Sequence, residues 1–475
     1  MSLSVLDAAR EAPERVALVI GGDVITFGEL AARVAVRSAL LRPGTLVTGG
    51  RAVALVGTSD RSTLETVYAL MTLGVPMLLV HPRLTKGERD EVLATMQPSV
   101  VLTADGLPPG VDVEALGREP HSDADGVPVD DARCLAVLMT SGTTGRPKGV
   151  VLSRRAFVAS ARGSELNIAL GDGDRWLLGL PIAHVGGLSI LTRCLLARSA
   201  VVVPREVARG QRLDVAALIR ALDEDRVTLV SLVPTQLEWL LVHEPAWQPP
   251  AHLRAILLGG AAARPSLLAR AADRGFPVLT TYGLTEACSQ VTTQVAGTVN
   301  RGELGAGTPM AGVEVRIEGG VIQVRSPTLL DGYVPPSAEP VLDADGWLTT
   351  NDLGRLDAAG NLHVLGRRSE VVITGGENVH PAEVEAVVDQ CAGVAASCAF
   401  GVPDDTWGEL LAVAIVAAPK GAPADAELAA FVRDRLSPHR RPRLVALVSE
   451  LSTNATGKLD RAATRERAWP LLRKL

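Results

Sequence analysis

Aromatic side chains are scarce in this chain: three tyrosines, five phenylalanines and six tryptophans in 475 residues. A core must therefore be aliphatic, and a surface for stacking nucleic-acid bases is not expected. Positive charge is not in excess either. The formal net charge is -6, which lacks the electrostatic footprint of a nucleic-acid binder. The cysteines, Cys134, Cys194, Cys288, Cys391 and Cys398, are odd in number, and none stands in C-x-x-C spacing. That disfavours a disulfide framework and zinc and predicts reduced thiols in a cytoplasmic protein. No apolar run reaches the ~18 residues needed to span a bilayer. Met1 to Arg15 mixes Asp7, Arg10, Glu11, Glu14 and Arg15 into its apolar residues, unlike a signal peptide. Lysine is the last scarcity: among 47 lysines plus arginines, only Lys86, Lys148, Lys420, Lys458 and Lys474 are lysine. Lys148 and Lys458 both adjoin glycine in threonine-bearing segments, where a compact, flexible ammonium has been kept in an arginine-rich composition.

What is present is a globular composition, 47% hydrophobic and 21% charged, with the length of about three ordinary domains. Apolar runs alternate with helical periodicity: strands at Val16–Ile20, Val53–Val56, Pro76–Val80, Cys134–Met139, Leu177–Pro181, Ala200–Val203, Val227–Val233, Ala255–Leu258 and Pro277–Thr281, with helices between them. Thr26 is a candidate N-cap. This pattern predicts an α/β fold with parallel-rich sheets. Asp105 to Asp131 reads as surface linker. From Gly297 short strands at Val313–Ile317, Val321–Arg325 and Leu362–Leu365 suggest a small antiparallel unit. Strand–helix alternation resumes at Val371–Thr374 and Glu383–Asp389. A junction at Gly366 to Ser369 divides residues 1–366, a large multi-subdomain N-terminal region, from residues 367–475, a small α+β C-terminal domain. No internal repeat or low-complexity tract occurs.

The most informative stretch is Thr140-Ser141-Gly142-Thr143-Thr144-Gly145-Arg146-Pro147-Lys148-Gly149-Val150. Glycine lets a backbone approach an anion closely, and amides with hydroxyls donate to phosphate oxygens. A Walker A loop does not fit, because Pro147 precedes the lysine and no hydroxyl follows it. Thr281-Tyr282-Gly283-Leu284-Thr285-Glu286 follows a buried strand. Tyrosine there can stack on a nucleobase, and glutamate can hold magnesium; taken alone, Tyr282 reads as core and Glu286 as a solvated charge. Thr350-Asn351-Asp352-Leu353-Gly354-Arg355 reads alone as an Asx turn. Gly366-Arg367, Thr374-Gly375-Gly376-Glu377-Asn378 and Asn454-Ala455-Thr456-Gly457-Lys458 complete the set.

These separated segments, in this order and over almost the whole chain, resemble the adenylate-forming superfamily of acyl- and aryl-CoA ligases, peptide-synthetase adenylation domains and luciferases. The resemblance implies ATP, Mg2+ and coenzyme A as cofactor and co-substrates, and a mobile C-terminal domain. It implies that Thr140, Ser141, Gly142, Thr143, Thr144, Gly145 and Lys148 bind phosphates. Gly259, Gly260, Ala261 and Gly283 would line the nucleotide. Tyr282 would pack on adenine, Thr285 touch the α-phosphate and Glu286 ligate magnesium. Asp352 and Arg367 would meet the ribose, with Asn351 where glycine is usual. Ser369 aligns with the hinge, and Gly375 and Gly376 with the thiol channel. Lys458 would bridge the carboxylate and α-phosphate.

For the acid, Leu180 to Ser189 with Arg193, Ser231 to Leu237, and Leu257 to Ala262 with Tyr282 to Gln290 resemble the o-succinylbenzoate–CoA ligases of menaquinone biosynthesis. That dicarboxylate needs a fixed cation for its second carboxylate. Arg193 is the candidate, with Ser231, Thr235 and Ser289 as polar neighbours, Gly259 in the pocket wall and His184 as a pocket gate or a core histidine. Ala183 and Gly186 stand where that family frequently has the bulkier Phe and Ser, a departure that implies a wider pocket. Other aryl-CoA ligases, a standalone protein loading a carrier, and a non-catalytic nucleotide-binding regulator remain alternatives. Whether copies associate as a homo-oligomer is open.

Overall fold

The computed structural model describes residues 2–41, 51–102, 131–141, 147–453 and 459–475. The predicted linker, Asp105 to Asp131, therefore lies almost wholly outside the described residues. Among the latter, four sheets are formed. The largest runs from Thr308–Pro309 through Ser289–Thr293, Val278–Leu284, Ala255–Leu258, Leu229–Leu232, Arg175–Leu177, Ala200–Val203 and Val16–Ile20 to Asp23–Thr26. Its central strands are parallel and only its margins antiparallel. Ala255–Leu258 and Ala200–Val203 are buried throughout, as continuous apolar runs in a sheet covered on both faces should be.

A second sheet orders Gly332–Val334, Pro147–Ser153, Cys134–Ser141, Met77–Val80, Val53–Val56 and Val100–Val101. The helix Val185–Ala197 belongs to a core that takes residues from both sheets, such as Leu79 and Leu138 on one side and Val203 and Leu257 on the other. Ten of its residues are buried, Gly187 to Leu196. A helix that is apolar nearly all round is a helix with no solvent face, and its one charged residue, Arg193, is carried inside with it. Helix starts follow local chemistry. Thr26 accepts from Glu29 N while the Glu29 carboxylate accepts from Thr26 N, a reciprocal cap.

The third sheet, Glu314–Glu318, Val321–Arg325, Leu348–Leu356 and Leu362–Arg367, is antiparallel throughout. The fourth contains the hairpin Val394–Asp404 and Gly408–Ala417, with Val372–Thr374, Glu377–Val379, Leu444–Val448 and Arg473–Lys474. Core clusters of the fourth sheet draw only on residues from Val372 onward, and the other three stop at or before Val364.

Three expectations are corrected. The strand predicted at Leu177–Pro181 spans Arg175–Leu177; past Leu178 N, which donates to Val202 O at 2.8 Å, Gly179 and Pro181 interrupt pairing. The strand predicted to stop at Thr281 runs to Leu284, because an antiparallel partner receives it. Asn351 and Asp352 lie inside a nine-residue strand rather than an Asx turn. After Gly366 the expected alternation is present, Val372–Thr374 followed by the helix Pro381–Val388, in a sheet whose pairing is antiparallel apart from Ala412–Val416 on Leu444–Val448. The alanine-rich hairpin strands have weak β-propensity, and burial against the sheet decides their state.

Asp174 is a test of how the largest sheet is held. Its buried carboxylate accepts from Arg254 Nε at 3.0 Å and Nη2 at 2.7 Å, Thr228 Oγ1 at 2.7 Å and Gly171 N at 2.9 Å. Asp174→Ala should lower unfolding free energy by about 1–3 kcal/mol, read from denaturant unfolding, because Thr228 Oγ1 and Gly171 N lose a charged acceptor while the exposed Arg254 can be rehydrated. An unshifted midpoint would contradict it.

Candidate active site

Register places the candidate residues on one edge. Leu232 pairs with Leu258, and Leu258 with Thr280, all in parallel. The segments after these strands therefore emerge together at the carboxyl edge, where open parallel sheets bind ligands: Pro234-Thr235, Gly259-Gly260-Ala261 and Tyr282. Gly259 is half-buried, while Gly260, with φ +79°, and Ala261 are exposed. The Val278–Leu284 strand bends back through the turn Thr285–Ala287 into Ser289–Thr293. Gly283 is required there, since a Cβ would stand 1.7 Å from Ser289 O.

Two tyrosines organise the charges. Tyr282 Oη donates to Asp352 Oδ2 at 2.6 Å, and Asp352 Oδ1 pairs with Arg367 Nε at 3.0 Å. Asp352 and Arg367 are register partners. Burial first, then the Asp352 charge, pushes the Tyr282 phenol well above its ordinary range, so it remains a donor. Tyr333 Oη donates to Glu286 Oε1 at 3.4 Å, and Lys148 Nζ lies 3.2 Å from the Tyr333 ring centroid. Burial, then Glu286, likewise raises the Tyr333 phenol. Sequence reasoning missed Tyr333. Its signal was that a chain with three tyrosines spends one in Gly332-Tyr333-Val334; the third, Tyr68, is plain core at 2% exposure.

Lys148 lies in a strand, paired opposite Thr140, whose Oγ1 donates to Lys148 O at 3.4 Å. Ser141 pairs opposite Pro147. Gly142, Thr143, Thr144, Gly145 and Lys458 lie outside the described residues. Thr285 and Glu286 are half-buried in the turn, and Glu286 O accepts from Leu330 N at 2.9 Å.

The same hairpin reaches the predicted acid pocket. Arg193, 3% exposed, donates from Nη2 to Ser289 Oγ at 3.2 Å, and its guanidinium carbon is 5.4 Å from the Trp176 ring centroid. Trp176 Nε1 donates to Ser231 Oγ at 3.2 Å. Among the described residues no carboxylate pairs with Arg193, and buried Arg193 Nε and Ser189 Oγ have no hydrogen-bond partner. Burial pushes the Arg193 pKa down to about 10. Ser289 has φ +94° and Cys288 φ +50°, conformations that cost energy without glycine and cluster at functional sites. Thr235 is half-buried in the first turn of Pro234–His243. His184 is the residue before the helix Val185–Ala197, and its ring lies 5.0 Å from that of His81. His81, also missed from sequence, is 9% exposed and its imidazole pKa is lowered by burial and then Arg83.

Ser369 Oγ accepts from Asn351 Nδ2 at 3.0 Å, so the side chain standing where the resemblance expects glycine touches the predicted hinge. Gly375 and Gly376, with φ +60° and +84°, turn the hairpin Val372–Val379, and Gly375 N donates to Trp407 O at 2.9 Å. Among the described residues they make no hydrogen bond to the Lys148 or Asp352 groups. Three residues beyond Lys458, Arg461 pairs with Glu370 at 3.0 Å, with Glu385, and with Ala399 O at 2.6 Å.

Comparison with known families fits this geometry. A family described as AMP-binding enzyme matches residues 5–334, and AMP-binding enzyme C-terminal domain matches residues 383–458. The chain belongs to the AMP-binding enzyme family. Its similarity to other AMP-binding enzymes extends end to end. It is 34% identical to the 2-succinylbenzoate–CoA ligase of Bacillus pumilus, covering 98% of this chain and 97% of that one. Identity to the same enzyme of Bacillus licheniformis is 35%, covering 94% and 96%. The o-succinylbenzoate CoA synthetase of Bacillus subtilis, solved with an acyl-adenylate intermediate, superposes with TM-score 0.84 at 31% identity over 97% of each chain. MatB of Rhodopseudomonas palustris, solved with ATP, gives TM-score 0.87 at 26% identity over 98% and 99%.

An unpaired buried guanidinium carries a desolvation penalty. Since the folded pKa is depressed below the unfolded one, the penalty is present in full below about pH 10 and shrinks only above it. Arg193→Met should therefore stabilise the free protein at neutral pH by about 1–3 kcal/mol. Lower stability in a denaturant titration would contradict that.

Proposed function

We propose that this enzyme activates 2-succinylbenzoate with ATP and transfers the acyl group to coenzyme A in the cytoplasm. The observation that carries the acid is Arg193: a buried cation, short of a carboxylate partner, bonded to the segment that also bears Tyr282 and Glu286. A dicarboxylate supplies the missing anion while its other carboxylate faces the nucleotide. A benzoate-like monocarboxylate leaves the guanidinium uncompensated, which disfavours the alternative aryl-CoA ligases.

In the first half-reaction one carboxylate oxygen attacks the α-phosphorus of ATP and pyrophosphate leaves. Lys148 and the Thr140–Gly145 segment hold the phosphates, Lys458 bridges the carboxylate and α-phosphate, and Thr285 touches that phosphate. Catalysis is by positioning and charge neutralisation. Tyr282 supports the adenine, while Asp352 and Arg367 take the ribose hydroxyls. Glu286 fits magnesium: one half-buried carboxylate, with no cluster of three acidic, histidine or cysteine ligands among the described residues, suits an ion bound through a single carboxylate and phosphate oxygens. When bound, magnesium neutralises charge on the triphosphate. In the second half-reaction the thiol sulfur attacks the acyl carbon and AMP leaves. We place the domain boundary between Gly366 and Arg367, with Ser369 as the hinge that exchanges Lys458 for the Gly375–Gly376 turn. The separation of core clusters there supports this reading.

Two measurements test it. Lys458→Ala should abolish ATP–pyrophosphate exchange and spare thiolysis of supplied acyl-adenylate; equal loss of both contradicts the division of labour. Arg193→Met should raise KM for 2-succinylbenzoate about 100-fold while leaving that for ATP near wild type. An unchanged acid KM removes the case for the dicarboxylate.

A further inference from the structure

Lys148 and Glu286 carry opposite charges and both touch the Tyr333 side chain, yet they form no ion pair with each other among the described residues. The placement is built into the backbone. Tyr333 pairs opposite Val150, and Val334 opposite Gly149, which makes Lys148 the diagonal neighbour of Tyr333 on the same sheet face. Asp331 N donates to Val151 O at 3.0 Å and Leu330 N to Glu286 O at 2.9 Å. The strand Gly332–Val334 is thus tied on one side to the lysine strand and on the other to the glutamate turn. The ring face takes the ammonium at 3.2 Å, and the hydroxyl reaches Glu286 at 3.4 Å.

We propose that Tyr333 is a positioning residue that keeps Lys148 and Glu286 apart, so that the ammonium stays available to phosphate oxygens and the carboxylate to magnesium. Direct contact between them would neutralise both. An ammonium on an aromatic face is held by the ring quadrupole and still directs N–H groups away from the ring. The ring is therefore a holder that does not consume the donors, and the hydroxyl fixes the carboxylate without cancelling its charge.

This inference rests on the nucleotide role assigned to the site, and calorimetric titration with ATP separates the two. Wild-type protein that fails to bind ATP in magnesium buffer would sink that role itself. With wild-type binding in hand, Tyr333→Leu should weaken ATP binding about tenfold both in chelator and in magnesium, because the ammonium then collapses onto the Glu286 carboxylate. Glu286→Gln added to Tyr333→Leu should restore the chelator value, because the collapsed pair is broken; loss of packing alone would not be rescued. Tyr333→Phe keeps the ring, so its affinity in chelator should match wild type while the gain on adding magnesium shrinks. If Tyr333→Leu does not fold, Tyr333→Phe alone decides. Tighter binding by Tyr333→Leu, or wild-type behaviour of the Phe variant in both buffers, overturns the proposal.

Discussion

The hydrogen bond from Tyr282 to Asp352 joins the parallel sheet to the antiparallel one, and much of the site depends on it. Tyr282 belongs to a strand whose neighbours end earlier, and only antiparallel pairing with Ser289–Thr293 lets it continue beyond the sheet edge. At 2.6 Å with both groups buried, the bond is short and sheltered from water, the conditions under which a charge-assisted hydrogen bond is strong. It orients Asp352 toward Arg367 and fixes the start of a segment that includes Glu286 and Ser289. Tyr333 repeats the arrangement with the second sheet. Three sheets therefore meet through two phenols, in a chain that has three in all.

How much of this was legible depended on whether the signal was local. The phosphate segment and the lysine scarcity are local and pointed to Lys148, whereas Tyr282, Asp352 and Arg367 were singled out through the resemblance of their short segments to the adenylate-forming superfamily. Parallel strands were legible because burial on both faces leaves unbroken apolar runs. What escaped was set by partners distant in sequence. The Leu348–Leu356 strand reads Leu-Thr-Thr-Asn-Asp-Leu-Gly-Arg-Leu, a turn-like composition that becomes a strand through pairing on both sides. Tyr333 acquires its place from pairing with a strand about 180 residues earlier, and His81 meets His184 only because two sheets share one core.

Arg193 shows stability and chemistry pulling in opposite directions. The helix Val185–Ala197 is apolar enough to be buried from every side, and that burial removes Arg193 from water. Nothing in the packing requires a guanidinium there; its stacking toward Trp176 and its bond to Ser289 only partly replace hydration. The dicarboxylate proposed above would complete that charge. On that reading, the same residue that weakens the unliganded fold concentrates selectivity for a second negative group.

Gly283 limits how such an enzyme can diversify. Its missing side chain lets the backbone at Ser289 come within contact, so the halves of the hairpin proposed to face the nucleotide and the acid pack directly on each other. Altering the main chain near Ser289 to suit another acid would displace Tyr282 as well. On the proposed reading, new acid preferences are most accessible through side chains of the Val185–Ala197 helix, which leaves the adenylate chemistry as a fixed inheritance and the acid pocket as its evolvable part.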